Sequence, residues 1–167
     1  MKISIIGYSG TGKSTFGNNL STIHNINVTH LDQLFFNPNW EEVDRTLFQS
    51  RIDEVLIKDT WILEGNYSRH SLQRLEESDE IFIFRFNRFR SLYNLIKRRI
   101  KYNNKVRPSA AKGCYEQLDL TFIKFVLYDS RKKERKIYFN NIIQKYSSKV
   151  IVFKNHKQVN KYLKNLK

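Results

Sequence analysis

Residues 7–15 read GYSGTGKST, directly behind the apolar run KISII at residues 2–6. The spacing Gly7-x-x-x-x-Gly12-Lys13-Ser14 is that of a phosphate-cradling loop between a strand and a helix. Glycines at 7, 10 and 12 let the backbone turn tightly and aim its N–H groups inward at phosphate oxygens. Ser9, Thr11 and Thr15 complete the cradle. Lys13 neutralises β- and γ-phosphates, and the Ser14 hydroxyl ligates Mg²⁺. The expected ligand is ATP with Mg²⁺, and the question becomes where the terminal phosphate goes: to a small molecule, to water, or nowhere.

Outward from the loop, a helix is expected from Lys13 to about Leu20, because the loop aims phosphates at a helix N-terminus. NVTHLD (27–32), WILEG (61–65), EIFIFRF (80–86) and KVIVF (149–153) read as further strands. A broad apolar face from Val43 through about Ile57 predicts a helix after the Asn37-Pro38-Asn39 turn. From Arg88, the residues Phe89, Leu92, Tyr93, Ile96 and Ile100 fall on one helical stripe. The polar stretch 102–113 interrupts that pattern, helical spacing resumes from about Leu118 to Tyr146, and Val159, Tyr162, Leu163 and Leu166 mark a closing helix. Strands alternating with helices mean an α/β domain with a mainly parallel sheet and right-handed crossovers. Its 167 residues fit a single domain, 1–167.

In such sheets ligands sit at the carboxyl ends of the strands. Three candidates fall there: the glycine-rich loop, Asp32 after the second strand and Glu64 after the third. Glu64 closing a buried strand is expected to hold Mg²⁺ through water, since a carboxylate there needs a charge partner. Asp32 has several open roles: accepting a proton from a substrate hydroxyl, binding a substrate donor, sharing in metal ligation, or capping a helix. Trp40, with Phe35 and Phe36, either lines a substrate pocket or packs in the core.

The charge is lopsided. Net charge is +14, yet residues 1–84 hold 7 Lys/Arg against 12 Asp/Glu and residues 85–167 hold 23 against 4. That asymmetry points to a polyanion such as DNA or to a strongly cationic site. If 131–146 is one helix, Arg131 and Arg135 share a face with Tyr138, Ile142 and Tyr146, while Arg98 lies opposite the apolar stripe of its own helix. With 102–116 between them, these arginines read as catalytic cations bracketing a lid that closes over the transferring phosphate. Histidines 24, 30, 70 and 156 show no ligand spacing. One cysteine, Cys114, suits a reducing compartment, no apolar run reaches membrane-spanning length, and no leader is visible, so a cytoplasmic location is expected.

GYSGTGKST, then HLD (30–32), LEGNYS (63–68), FNRF (86–89) and VIVFKN (150–155) resemble, in this order, the DNA topology modulation (FlaR-like) family. That family is similar to adenylate and shikimate kinases. The resemblance implies a three-layer P-loop NTPase fold, nucleoside monophosphate kinase-like, with a five-stranded parallel sheet in order 2-3-1-4-5, a small lid and ATP–Mg²⁺ binding. Glu64-Gly65 falls where these kinases usually carry Asp-Gly, Arg69 resembles their substrate-phosphate arginine, and Asn155 falls where adenine is held. The leading expectation is a small-molecule or nucleotide kinase. The alternative is a nucleotide-dependent DNA-associated protein whose basic half binds backbone phosphates, although no reading helix or zinc motif stands out. Simple ATP hydrolysis is weaker, because no glutamine or glutamate is obviously placed to orient water.

Overall fold

The structure is a computed structural model that describes residues 1–68 and 72–166. The chain runs β1 (Lys2–Gly7), α1 (Lys13–His24), β2 (Val28–His30), α2 (Leu31–Phe35), β3 (Phe36–Asn37), β4 (Glu41–Glu42), α3 (Arg45–Leu56) and β5 (Trp61–Glu64). It continues through α4 (Leu72–Glu77), β6 (Glu80–Phe84), α5 (Arg88–Lys101), α6 (Leu120–Leu127), α7 (Lys133–Lys145), β7 (Val150–Phe153) and α8 (His156–Asn165).

Five strands form one parallel sheet in the order β2-β5-β1-β6-β7. Counted among its own strands, that order is the expected 2-3-1-4-5. The numbering shifts because β3 and β4, a two-residue antiparallel pair, form a hairpin that the sequence did not reveal. Alternation along the central strands sorts the two faces. Ile3, Ile5, Phe82 and Phe84 pack with Phe16 and Leu20 of α1 and Val159 of α8. Ile6, Ile81 and Ile83 point the other way, onto Leu75 of α4 and Phe139 and Ile142 of α7, while α3 covers Trp61 and Leu63. The result is a three-layer sandwich with both sheet faces buried, as parallel sheets require. Fully burying a side chain such as Phe16 or Phe82 contributes about 1.5–3 kcal/mol.

Three expectations change. The strand expected over 27–32 stops at His30, and Leu31, fully buried against Val43 and Phe48, starts α2. Asp32 therefore lies in the first turn of a short helix, not on a strand end. The helix expected from Leu118 to Tyr146 is broken at Asp129–Arg131, a 3₁₀ turn, because Ser130 Oγ and Arg131 Nε both donate to the Val126 carbonyl and side-chain donors at that carbonyl compete with helix continuation. On α5 the periodicity is right but the buried side is opposite. Ser91 and Leu95 face the core, whereas Phe89 and Ile100 are 70% and 73% exposed and Tyr93 and Ile96 nearly half exposed. The phosphate loop packs on this side: a Cβ at Gly10 would meet the Ser91 carbonyl at 2.4 Å, so only glycine fits at that loop position. Among the described residues no helix is long and apolar enough to cross a membrane.

Candidate active site

The phosphate loop leaves β1 at Gly7, whose φ of +133° and closeness to Phe84 exclude any side chain. Gly12, in the left-handed region, caps α1 with no side-chain hydrogen bond to the first turn. The free N–H groups of that turn are thus open to an anion. The loop also holds itself: Tyr8 N donates to Phe84 O, Thr11 Oγ to Tyr8 O, and Gly7 N to Asn66 Oδ1 at 3.0 Å. Lys13 is buried and its ammonium donates to the Tyr8 carbonyl at 2.9 Å. Burial pulls this ammonium below its ordinary value, and the nearby Glu64 and Asp32 carboxylates oppose that shift.

Glu64 Oε2 accepts from Ser14 Oγ at 2.9 Å and bonds His30 Nδ1 at 3.0 Å, and His30 Nε2 meets Asn18 Oδ1 at 3.2 Å. Burial pushes the Glu64 carboxyl up. The His30 hydrogen bond, the Lys13 charge and Ser14 outweigh this and hold it below the ordinary value. A buried ammonium with donors to spare, an uncapped helix start and a hydroxyl on an ionised carboxylate are the donor set that a triphosphate with Mg²⁺ needs. Ser14 suits direct ligation of the metal and Glu64 suits a water-mediated role. The fit is to an ion completed by phosphate oxygens, since no cluster of three or more His, Cys, Asp or Glu among the described residues forms a self-sufficient metal site.

Loop and carboxylates open onto one cavity of about 820 Å³. Ser9 to Thr15 form its floor, and Asp32, Phe36, Trp40, Glu64, Asn66 and Tyr67 form one wall. The opposite wall comes from α5 (Asn94, Lys97, Arg98, Lys101), with Arg107, Ser109 and Glu116 overhead. Tyr67 donates its hydroxyl to Asp32 Oδ1 at 2.8 Å, and Arg107 reaches Asp32 Oδ2 at 2.9 Å. Burial first, then the Asp32 charge, raises the Tyr67 phenol, so it stays a donor. Arg98 grips Glu116 Oε1 at 2.7 Å through Nε and Nη2. Arg107 Nε lies 3.3 Å from Glu116 Oε2, near enough for charge pairing but misaligned for a hydrogen bond. Asp32, Arg107, Glu116 and Arg98 thus form one chain of alternating charge across the cavity.

The segment expected to be a lid, 102–116, docks on the β3–β4 hairpin. Ala110, Ala111 and Cys114 are buried against Phe36 and Trp40. Trp40 Nε1 donates to Tyr115 O, Gln33 Nε2 to Pro108 O, Asn39 N to Gly113 O and Cys114 Sγ to Asn37 O.

Other expected residues sit elsewhere. Arg131 ends the 3₁₀ turn and stacks 4.0 Å over the Tyr8 ring, donating to Phe86 O, Ser91 Oγ and Val126 O. It braces the phosphate loop from behind and does not line the cavity. Arg135 lies over the Tyr138 and Phe139 rings, also off the cavity. Asn155 caps α8 by accepting from Gln158 N. It borders a separate cleft with Asn87 and Arg90, while its neighbour His156 faces the main cavity and meets Asn94 Nδ2 at 3.2 Å. Arg69 lies outside the described residues.

No protein-family model matches the chain, and no curated protein matches it. Solved structures do. A gluconokinase from Sinorhizobium meliloti 1021 is 13% identical, with 99% of this chain and 88% of that chain covered and a TM-score of 0.57. A deoxyadenosine kinase from M. mycoides, solved with bound dATP, is 12% identical over 99% of this chain and 97% of that one, with a TM-score of 0.55. The chain has the fold of a P-loop kinase. A shikimate kinase from Bacteroides thetaiotaomicron also matches, at 15% identity over 99% and 96% of the two chains and a TM-score of 0.47. At such identities the likeness is one of fold, and it lends nothing to the DNA topology modulation family.

Sequence reasoning missed His30, Asn66, Tyr67, Arg107, Glu116 and His156. Glu116 carried a signal: it is the only acid between residues 81 and 118, in the most basic part of the chain. A lone carboxylate among so many cations marks an ion-pair hub.

Proposed function

We propose that the chain is an ATP- and Mg²⁺-dependent phosphotransferase that moves the γ-phosphoryl group to a hydroxyl of a small molecule. The observation that carries this is a single cavity holding the Lys13–Ser14–Glu64 phosphate and metal donors on its floor and Asp32, partly exposed, on its wall. Bound Mg²⁺ would neutralise phosphate oxygens and polarise the phosphorus. Lys13 and the loop N–H groups hold the phosphates, Ser14 and Glu64 serve the metal, and Asp32 orients the acceptor hydroxyl and takes its proton. Arg98, kept at the cavity by Glu116, offsets charge on the transferring group. Trp40 shapes the acceptor pocket, Arg69 is its candidate phosphate contact, and Asn155 fixes the start of α8, whose first residue His156 faces the cavity. Arg131 works as a positioning residue behind Tyr8, and Arg135 supports the same ring cluster.

The DNA-associated alternative rests on charge alone. Three of the basic residues that motivate it, Lys97, Arg98 and Lys101, line the cavity, which favours the catalytic account. The test is acceptor-dependent ADP release from Mg-ATP across a panel of hydroxyl compounds, with duplex DNA as a panel member and Lys13→Ala as the control. Turnover that needs a small acceptor and vanishes in the variant is the expected result. Normal Mg-ATP binding by Lys13→Ala defeats the assignment of the loop, and turnover stimulated only by DNA hands the basic half to the alternative.

A further inference from the structure

We infer that His30 is a positioning residue for the metal carboxylate: together with Asn18 it locks Glu64 to α1, so that the acid and the phosphate loop keep one fixed spacing around the metal. The inference rests on the phosphotransferase reading and deepens its metal half.

β2 and β5 are parallel neighbours in which His30 and Glu64 are register partners, so both side chains leave the carboxyl ends of adjacent strands on the same face of the sheet. His30 Nδ1 lies 3.0 Å from Glu64 Oε2, which also accepts from Ser14 Oγ at 2.9 Å. The other ring nitrogen, Nε2, meets the side-chain amide of Asn18 at 3.2 Å. Ser14 and Asn18 stand one helical turn apart on α1 and share a face of it. The contacts therefore close into a ring, from Ser14 to Glu64, to His30, to Asn18 and back to α1. Since α1 begins at Lys13, directly behind the loop, the ring ties the carboxylate to the element on which the phosphates rest.

A glutamate side chain turns about several bonds, and holding it in one place costs rotamer entropy. One hydroxyl fixes one point of the carboxylate. The His30 N–H, arriving from a neighbouring strand, fixes its direction. Both donors engage Oε2, so Oε1 is the oxygen left for the water-mediated role at the metal. Glu64 borders the cavity, whereas His30 is 5% exposed and does not, so the histidine acts through the carboxylate and touches no ligand itself. The Asn18 carboxamide presents an acceptor or, turned over, a donor, so Nε2 is partnered whether or not it carries a proton. The arrangement therefore needs no particular charge on the ring. Groups that orient a metal-side ligand in this way typically carry about ten- to a hundredfold of the affinity.

The test is calorimetric binding of the non-transferable β,γ-imido analogue of ATP to the full-length protein, once in excess EDTA and once in saturating Mn²⁺. The ratio of the two dissociation constants isolates what the metal contributes. His30→Ala is expected to lower that ratio about tenfold or more, while the constant in EDTA stays within about threefold. A merely structural role would raise both constants together. His30→Asn, whose amide nitrogen stands where Nδ1 stood, is expected to recover most of the loss. Asn18 is exposed, so Asn18→Ala serves if His30→Ala fails to fold, and it should lower the ratio about threefold or more. In a Glu64→Ala background, adding His30→Ala should change the ratio less than about threefold, because the group it positions is gone. An unchanged ratio in His30→Ala, no recovery in His30→Asn, or a full further loss in the Glu64→Ala background overturns the positioning role while the phosphotransferase reading stands. Equal binding of the analogue to the wild-type protein with and without Mn²⁺ overturns the metal assignment of Glu64 and the inference with it.

Discussion

Removing the Glu116 carboxylate tests the charge chain over the cavity most directly. Its side chain is 2% exposed and faces Arg98 at 2.7 Å and Arg107 at 3.3 Å. Breaking a buried ion pair from one side costs about 3–5 kcal/mol, because the surviving charge is left uncompensated. Two features reduce that figure here. Arg98 is 26% exposed and regains water, and Arg107 keeps Asp32. What is lost is repulsion control between two neighbouring guanidiniums, so about 2–3 kcal/mol is expected for Glu116→Gln, which keeps the shape and removes the charge. The loss should fall on the docked segment and leave the sheet intact, since Glu116 N donates to Lys105 O inside that segment. Hydrogen exchange is therefore the assay. The amides of Ala110, Cys114 and Glu116 donate to Arg107 O, Ala111 O and Lys105 O, and their protection should fall roughly 30- to 150-fold at about 1.4 kcal/mol per decade. Amides of β1 and β6 should be unaffected. Protection within threefold of wild type at all three amides would mean that Glu116 does not hold the segment down.

Other perturbations probe separate parts of the fold. On α5, Leu95→Ala should cost about 2–4 kcal/mol and Ile100→Ala stay within about 0.5 kcal/mol, read from urea midpoints; the reverse ranking would restore the apolar stripe to the core. Asn155→Ala should cost about 1 kcal/mol through loss of the α8 cap, and no change in urea midpoint would count against that role. Gly10→Ala combines a φ of +73° with a 2.4 Å clash against backbone, so the variant should lose both stability and Mg-ATP affinity. For pH, the folded Glu64 carboxyl sits below its ordinary value of 4.5. Its ionised form stabilises the fold above that value and loses the contribution as pH falls through the folded value. The stability gap between wild type and Glu64→Gln should therefore narrow below about pH 4.5, and a gap that widens on acidification would contradict the assignment.

How much was legible in advance follows from the range of each interaction. The phosphate loop, five sheet strands and their order could be read because each depends on neighbours in sequence or on a resemblance carried by local motifs. Ser14 was read from the loop motif at the start of α1 and Glu64 from its place at the end of β5. Arg107 and Glu116 escaped because the bond from Arg107 to Asp32 spans 75 positions and no local pattern encodes it. Arg131 was misplaced because helical spacing is blind to a carbonyl stolen by Ser130. The α5 stripe shows a different limit. Periodicity fixes that a helix forms, but the buried side is the one on which Gly10 approaches Ser91 and Leu95, a contact that no local pattern encodes.

The docking of 102–116 onto the β3–β4 hairpin has a kinetic consequence. A flap hinged at its two ends would swing freely and let nucleotide and acceptor come and go independently. Here the roof is fastened to α2 by Gln33, and to the hairpin by hydrogen bonds from Asn39, Trp40 and Cys114 and by a small apolar cluster. On the phosphotransferase reading, where opening of the seam between roof and hairpin is slower than the chemical step, turnover is set by how often the seam breaks. A pre-steady-state burst of product, equal to the enzyme concentration, is its signature. Loosening the seam, as with Trp40→Phe, would then raise the steady-state rate while weakening acceptor affinity, a trade that a freely hinged flap would not show.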